Sequence, residues 1–227
     1  MSRPPHPPPF RDRDDAGRQL GSALAERVPR GDDLIVLGLP RGGVPVAARV
    51  AEALGAPLDV FIVRKLGLPG HEELAMGAIA TGGVRVMNSD VLDAIAVPQQ
   101  TIDAVTAAEQ RELVRREAAY RGARPPLELH GKRVILVDDG LATGSTMRAA
   151  VQALRKMEPR AAIVAVPVAA ASTGDDFRRD PEVDDIVCLR TPEPFQAVGL
   201  WYEDFAQTTD QQVHAELARA WFVQLLK

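Results

Sequence analysis

The sequence has a single cysteine among 227 residues, Cys188, so no disulfide can close within the chain. That suits a reducing compartment and excludes a stapled small-domain architecture. Cys188 lies in the apolar run Ile186-Val187-Cys188-Leu189, where a small buried strand residue is expected rather than a reactive thiol. Aromatic residues make up only 4%, and much of that content is gathered in one C-terminal segment. No stretch approaches the ~20 consecutive apolar residues of a membrane-spanning helix, so no membrane partner is expected. The start, Met1 to Pro9, is rich in proline and lacks the apolar segment of a secretory signal. It reads as a flexible, polyproline-like tail, and a cytoplasmic location is expected. A basic excess is missing too. The formal net charge is -4, which gives no general attraction for nucleic acid. Any anion site must therefore come from a few placed groups.

What is present suits a folded domain of ordinary size. Hydrophobic residues make up 46% and charged residues 26%, enough for a core and too apolar for a disordered chain. There is no internal repeat. Five short apolar runs, Leu34 to Leu37, Val60 to Val63, Val134 to Val137, Ile163 to Val166 and Ile186 to Leu189, suit strands buried on both faces. Helical stretches lie between several of them. Asp12 to Val28 carries Leu20, Leu24 and Val28 at helical spacing. Val44 to Leu54 starts at Pro45 and stops at Gly55. Met147, Val151 and Leu154 form one stripe that ends at Glu158-Pro159. The alternation predicts an α/β fold with an open sheet. Leu74 to Asn88 reads as a hairpin turning at Gly82-Gly83. Pro98 to Arg121 reads as a long charged helix with Ile102, Val105 and Leu113 as its weak stripe, and its charge reads as a solvated face. A last helix begins with the capping box Thr209…Gln212 and presents Val213, Leu217, Trp221 and Leu225.

The stretch from Val134 to Thr146 carries the chemistry. A buried strand leads to Asp138-Asp139-Gly140, then to the loop Ala142-Thr143-Gly144-Ser145-Thr146, then to a helix. The strand sets the loop at its carboxyl end, where open α/β sheets bind ligands. Small side chains let backbone N–H groups approach an anion, three hydroxyls add donors, and the helix N-terminus favours negative charge. Two acids beside a phosphate cradle repel the phosphate unless they face something else. Vicinal sugar hydroxyls are natural partners, because an ionised carboxylate only accepts hydrogen bonds. A nearby magnesium ion would offset the repulsion. A turn with a helix cap is the plain alternative. Competing motifs fail: no lysine follows Gly144, the three spaced glycines of a dinucleotide site are absent, Ala75 stands where His71-Glu72-Glu73 would need a second zinc-binding histidine, and no nucleophile elbow occurs.

This stretch resembles the phosphoribosyl-diphosphate (PRPP) signature of type I phosphoribosyltransferases. The resemblance covers roughly Phe10 to Phe205. It implies an open, twisted, mainly parallel sheet flanked by helices, with a small hood and a hairpin insertion. Residues 1–9 would be the tail and residues 10–227 one domain, with residues 191–227 as hood and C-terminal segment. Asp138 and Asp139 would bind the ribose hydroxyls and serve catalysis, with magnesium held by them directly or indirectly. Ala142, Thr143, Gly144, Ser145 and Thr146 would bind the 5-phosphate. Gly140 departs from the pattern, which has an apolar residue there.

Two further places agree. Leu39-Pro40-Arg41-Gly42-Gly43 ends the first core strand before a helix, and bare glycines with an arginine make a second anion loop. In the family a loop here holds pyrophosphate, which assigns Arg41, Gly42 and Gly43. Arg64-Lys65, expected to end the second core strand, is similar to the Arg-Lys before the mobile loop of orotate phosphoribosyltransferases, and would meet pyrophosphate and assist catalysis. A plain turn and a solvated surface pair are the respective alternatives. Phe195, Trp201 and Tyr202 are the hood candidates for stacking a base, with core packing as the alternative. Leu66 to Met87 or Tyr120 to Pro126 would supply a cover. The implied activity is transfer of ribose 5-phosphate from PRPP to a purine or pyrimidine nitrogen. The alternatives are a non-catalytic PRPP-sensing regulator and a phosphate-ester binder or hydrolase. The charged helix and the terminal aromatics are available for a homo-oligomer contact.

Overall fold

A computed structural model describes residues 8–225, so most of the proline-rich tail (residues 1–7) lies outside the described residues. Five strands form a parallel sheet in the order β2-β1-β6-β7-β8. They are β1 (Leu34–Gly38), β2 (Leu58–Val60), β6 (Arg133–Val137), β7 (Ala161–Val168) and β8 (Asp185–Arg190). Alternate residues of β1 and β6 serve opposite faces. Leu34, Val36, Ile135 and Val137 join one buried cluster, and Ile35, Leu37, Val134 and Leu136 join the other. Burial on both faces explains why these strands read as unbroken apolar runs.

Helices cover the two faces. On one side lie α1 (Arg13–Arg27), α2 (Gly43–Leu54) and α7 (Asp210–Leu225). On the other lie α5 (Ser145–Arg155) and α6 (Ala171–Arg179), the second of which has no clear signal in the sequence. Asp12 caps α1 by accepting from the Asp15 N–H at 2.7 Å. The α7 capping box forms reciprocally: Thr209 Oγ1 accepts from the Gln212 N–H at 3.1 Å, and Gln212 Oε1 accepts from the Thr209 N–H at 2.8 Å. Val213 and Leu217 of α7 are fully buried. Trp221 lies beneath the Arg124 guanidinium. The side chain of Leu225 is outside those described. Among the described residues no helix is long and apolar enough to cross a membrane.

A second, antiparallel sheet has the order β3-β4-β5, from β3 (Val63–Leu68), β4 (His71–Ala80) and β5 (Val84–Met87). The expected hairpin is there, with its turn at Thr81–Gly83. One expectation is corrected. Val60 to Val63 is not a single core strand, because β2 stops at Val60 and Val63 opens β3. The Phe61 N–H donates to Gly38 O, the last bond to β1 here. Ile62 then pairs with Thr81 instead, donating to its Oγ1 at 2.9 Å and accepting from its N–H at 2.9 Å. Arg64-Lys65 therefore lies on the small sheet and does not end a core strand. The chain passes from β5 to β6 through α3 (Ser89–Ile95), also unforeseen and with no buried residue, and α4 (Gln99–Arg121), which matches the expected charged helix and buries Ile102, Leu113 and Tyr120.

Candidate functional site

The register of β1 and β6 pairs Gly38 with Val137, so the two strands end side by side. The Leu39 N–H donates to Val137 O at 2.8 Å and extends the pairing by one residue. Both loops singled out in the sequence thus leave the same carboxyl edge. They touch. A Cβ on Gly42 would run into the Asp139 carboxylate, and one on Gly43 would stand 2.5 Å from Val137 O and 2.8 Å from Asp138 Cα. Glycine is required at both places for this approach.

Each acid of the pair has one oxygen engaged by the protein. Asp138 Oδ1 accepts from the Asp139 N–H at 2.9 Å. Asp139 Oδ2 accepts from Arg13 Nε at 2.9 Å and lies 2.8 Å from Arg13 Nη2. Burial pushes both carboxyls above their ordinary range, Asp138 well above it, and the Asp139 charge raises Asp138 further. The Arg13 guanidinium opposes that rise at Asp139. Such a pair is costly to hold at a fold's edge for stability alone, because burial without full pairing disfavours the charged forms.

The small-residue loop is open. Ala142, Thr143, Ser145 and Thr146 are exposed and only Gly144 is buried, with φ +71°. The loop is anchored from below: the Leu141 N–H donates to Val168 O at 2.9 Å, and Thr173 Oγ1 donates to Ala142 O at 2.6 Å. Helix α5 begins at Ser145, so its N-terminal amides and the hydroxyls of Thr143, Ser145 and Thr146 share one rim. The Gly140 departure has a local cause. A Cβ there would meet Val198 at 2.6 Å and Val168 at 3.0 Å, so the segment around Val198 fills the room an apolar residue would take.

The cations divide. Lys65 Nζ donates to Ser145 Oγ at 3.3 Å, which brings it to the cradle. Its neighbour Arg64 points to the other face of β3 and is held by Glu109 of α4, with both Nε and Nη2 at 2.6 Å from Oε2. Arg41 leans to the start of α7, 3.6 Å from Asp210. Tyr120 donates to the same carboxylate at 2.7 Å. The three hood candidates divide as well. Tyr202 is buried between Phe10 (centroids 5.5 Å) and Phe205 (5.0 Å), and its O–H donates to Asp139 O at 2.6 Å, so its ring braces the acid pair. Phe195 and Trp201 pack against the same small cluster. Tyr120 to Pro126 is tied down: Arg121 bonds Asp59 and Pro125 O, and Arg124 bonds Leu217 O. That segment does not suit a mobile cover.

A cleft of about 400 Å³ opens beside the pair, lined by Arg13, Arg41, Gly42, Asp139, Phe205, Gln207 and Thr208. Sequence reading missed four of these, Arg13, Phe205, Gln207 and Thr208, as site residues. No local pattern marks Arg13, which lies 126 residues from Asp139. Another cleft of about 430 Å³, between α2 and α7, includes Gly31 and Pro57 at the amino ends of β1 and β2 and holds none of these residues.

Fold and site together define an open α/β protein whose carboxyl edge, the usual ligand edge of such sheets, brings two glycine-containing loops against an acid pair. The comparisons narrow the class. Residues 15–193 match the phosphoribosyl transferase domain model. A "Putative phosphoribosyl transferase" of Mycobacterium tuberculosis is 47% identical over 213 residues, which cover 93% of this chain and 47% of that protein. The chain thus spans about half the length of that relative. The crystal structure of a Thermus thermophilus protein is 41% identical, with a TM-score of 0.82, covering 93% of this chain and 98% of that one. The "Bifunctional protein PyrR" of Deinococcus radiodurans is 34% identical over 90 residues, 37% of this chain and 49% of that protein. The chain belongs to the phosphoribosyl transferase domain family.

Proposed function

We propose that this chain transfers ribose 5-phosphate from PRPP to a nitrogen of a purine or pyrimidine base and releases pyrophosphate. One observation carries the reading. Asp138 and Asp139 each spend one oxygen on the protein, and Asp138 Oδ2 and Asp139 Oδ1 bond no other described residue. Two acceptors side by side, next to an open hydroxyl-rich helix N-terminus, match a vicinal diol attached to a phosphate. In this reading residues 10–227 work as one domain, with residues 191–227 as hood and C-terminal segment.

The 5-phosphate sits on the amides and hydroxyls of residues 142–146, with Lys65 beside Ser145. The diphosphate sits at Arg41, Gly42 and Gly43. Arg64, committed to Glu109, is left out of ligand contact. The acceptor enters the cleft between Arg41 and Phe205–Thr208. As the bond from the anomeric carbon breaks, negative charge grows on the diphosphate, and Arg41, Lys65 and the loop amides stabilise it. Holding donor and acceptor in line supplies proximity.

Magnesium fits under one condition. Among the described residues no three His, Cys, Asp or Glu side chains converge to hold a metal. A pair of carboxylates suits an ion that retains waters and substrate phosphate oxygens as its other ligands. Asp138 and Asp139 would hold it, and when bound it neutralises charge on the leaving group.

The test is pyrophosphate release from PRPP and magnesium across a panel of bases, with Asp138→Asn and the Asp138→Asn/Asp139→Asn double variant as controls. Turnover with at least one base, lost in both variants, is expected. Normal turnover in the double variant sinks the assignment of both acids. Tight PRPP binding without pyrophosphate release across the panel points to a sensing regulator. Release of inorganic phosphate points to a hydrolase.

A further inference from the structure

We infer that Arg13 is a positioning residue for the sugar-binding acids, acting through Asp139; the inference rests on the reading of Asp138 and Asp139 given above. Arg13 is the first residue of α1 and commits its whole guanidinium. Nε and Nη2 bracket Asp139 Oδ2 at 2.9 and 2.8 Å, Nη1 donates to Ala206 O at 2.7 Å, and the group lies 3.9 Å over the Phe205 ring. The two side chains are 12% and 16% exposed, so solvent does little to loosen the pair.

A planar fork held on three sides and one face has little freedom to turn, and it anchors Oδ2 of the carboxylate it grips. Asp139 Oδ2 is taken, so Oδ1 is the oxygen presented to the ligand. The same guanidinium joins three places far apart in the chain: the start of α1, the end of β6 and the segment Phe205-Ala206. Tyr202 grips the Asp139 backbone from the same side, through its carbonyl. The acid is thus aimed from both its side chain and its main chain. A purely structural ion pair is a poor account of this cost, since a buried pair often adds little net stability.

Lysine cannot reproduce the role, because an ammonium offers a point charge and no rigid fork. Arg13→Gln and Arg13→Lys are both expected to raise KM for PRPP on the order of 10- to 100-fold, the usual cost of losing an outer partner that orients a ligand-binding side chain. KM for the acceptor should move less. Added guanidinium should restore part of the PRPP affinity in Arg13→Gln. In an Asp139→Asn background Arg13→Gln should add little, because its effect passes through the carboxylate. A wild-type KM for PRPP in Arg13→Gln overturns the inference, whatever its melting temperature, and so does full additivity with Asp139→Asn.

A second measurement guards against variants that fail to fold. In the wild-type protein the Arg13 Nε–H should exchange slowly with solvent by NMR and shift in Asp139→Asn. Exchange as fast as in an exposed arginine removes the pairing and the inference with it. If the wild-type protein neither binds PRPP nor releases pyrophosphate, the functional reading falls, and the Nε–H measurement still decides whether Arg13 holds the acid.

Discussion

The two loops at the carboxyl edge are neighbours with opposite constructions. The loop after β1 is pressed against the protein: Gly42 and Gly43 lie on the acid pair, and Arg41 reaches Asp210. The loop after β6 turns four of its five small residues, Ala142, Thr143, Ser145 and Thr146, to solvent. Glycine builds the first by removing bulk, and hydroxyls build the second by adding donors. The acid-pair side is therefore packed in place by the protein itself, while the small-residue loop stays open to solvent. Preassembly of this kind lowers the ordering cost of binding on the side where aim matters most.

Among substitutions in the two loops, the largest effect should come from breaking the closed one. In Gly43→Ala the new methyl meets main chain, Val137 O at 2.5 Å and Asp138 Cα at 2.8 Å, so no side-chain adjustment relieves it. A shift of the pair by about 1 Å should cost on the order of 100-fold in pyrophosphate release. Thr143→Ala in the open loop should raise KM for PRPP severalfold and leave stability within ~0.5 kcal/mol, because the side chain is exposed and its bonds to Ser145 are long, 3.4 and 3.5 Å. Equal effects in the two loops would erase the contrast.

The next effect separates function from stability at Asp138. Burial and the Asp139 charge raise its carboxyl above the unfolded value, so the ionised form works against folding. That penalty is absent below the ordinary carboxylate range and grows as pH rises through the raised folded value. Asp138→Asn should therefore melt higher than wild type at pH 8, with the gain shrinking toward pH 4, while turnover is lost. A melting temperature that drops at pH 8 would make Asp138 a structural residue. Tyr202→Phe follows. Loss of the O–H bond to Asp139 O should cost about 1 kcal/mol in chemical denaturation, and PRPP affinity should fall modestly.

Most of the fold is legible locally, since unbroken apolar runs at β1, β6, β7 and β8 follow from burial on both faces. The cradle is legible for the same reason: strand, acids, small residues and helix are consecutive. What escapes depends on distance. Arg13 meets Asp139 across 126 residues, and no spacing rule reaches that far. Tyr202 reads as a stacking surface because an aromatic looks the same in sequence whether its faces are free or covered; Phe10 and Phe205 cover them. The exchange of partners at Phe61-Ile62, from β1 to Thr81, is set by a hydroxyl 19 residues away.

That exchange yields the smallest and most discriminating prediction. Arg64 and Lys65 look like one cationic pair in the sequence, but consecutive residues of a strand face opposite ways. Lys65 faces the cradle and Arg64 faces α4. Lys65→Met should weaken PRPP binding severalfold, with a reduced salt dependence, since a point charge near a phosphate is removed. Arg64→Met breaks an ion pair whose side chains are 29% and 26% exposed, a setting in which such pairs are worth at most about 1 kcal/mol. Its melting temperature should dip slightly, and its KM for PRPP should match wild type. If Arg64→Met instead loses PRPP affinity as strongly as Lys65→Met, the Glu109 pair must open when ligand binds, and Arg64 would join the diphosphate site after all.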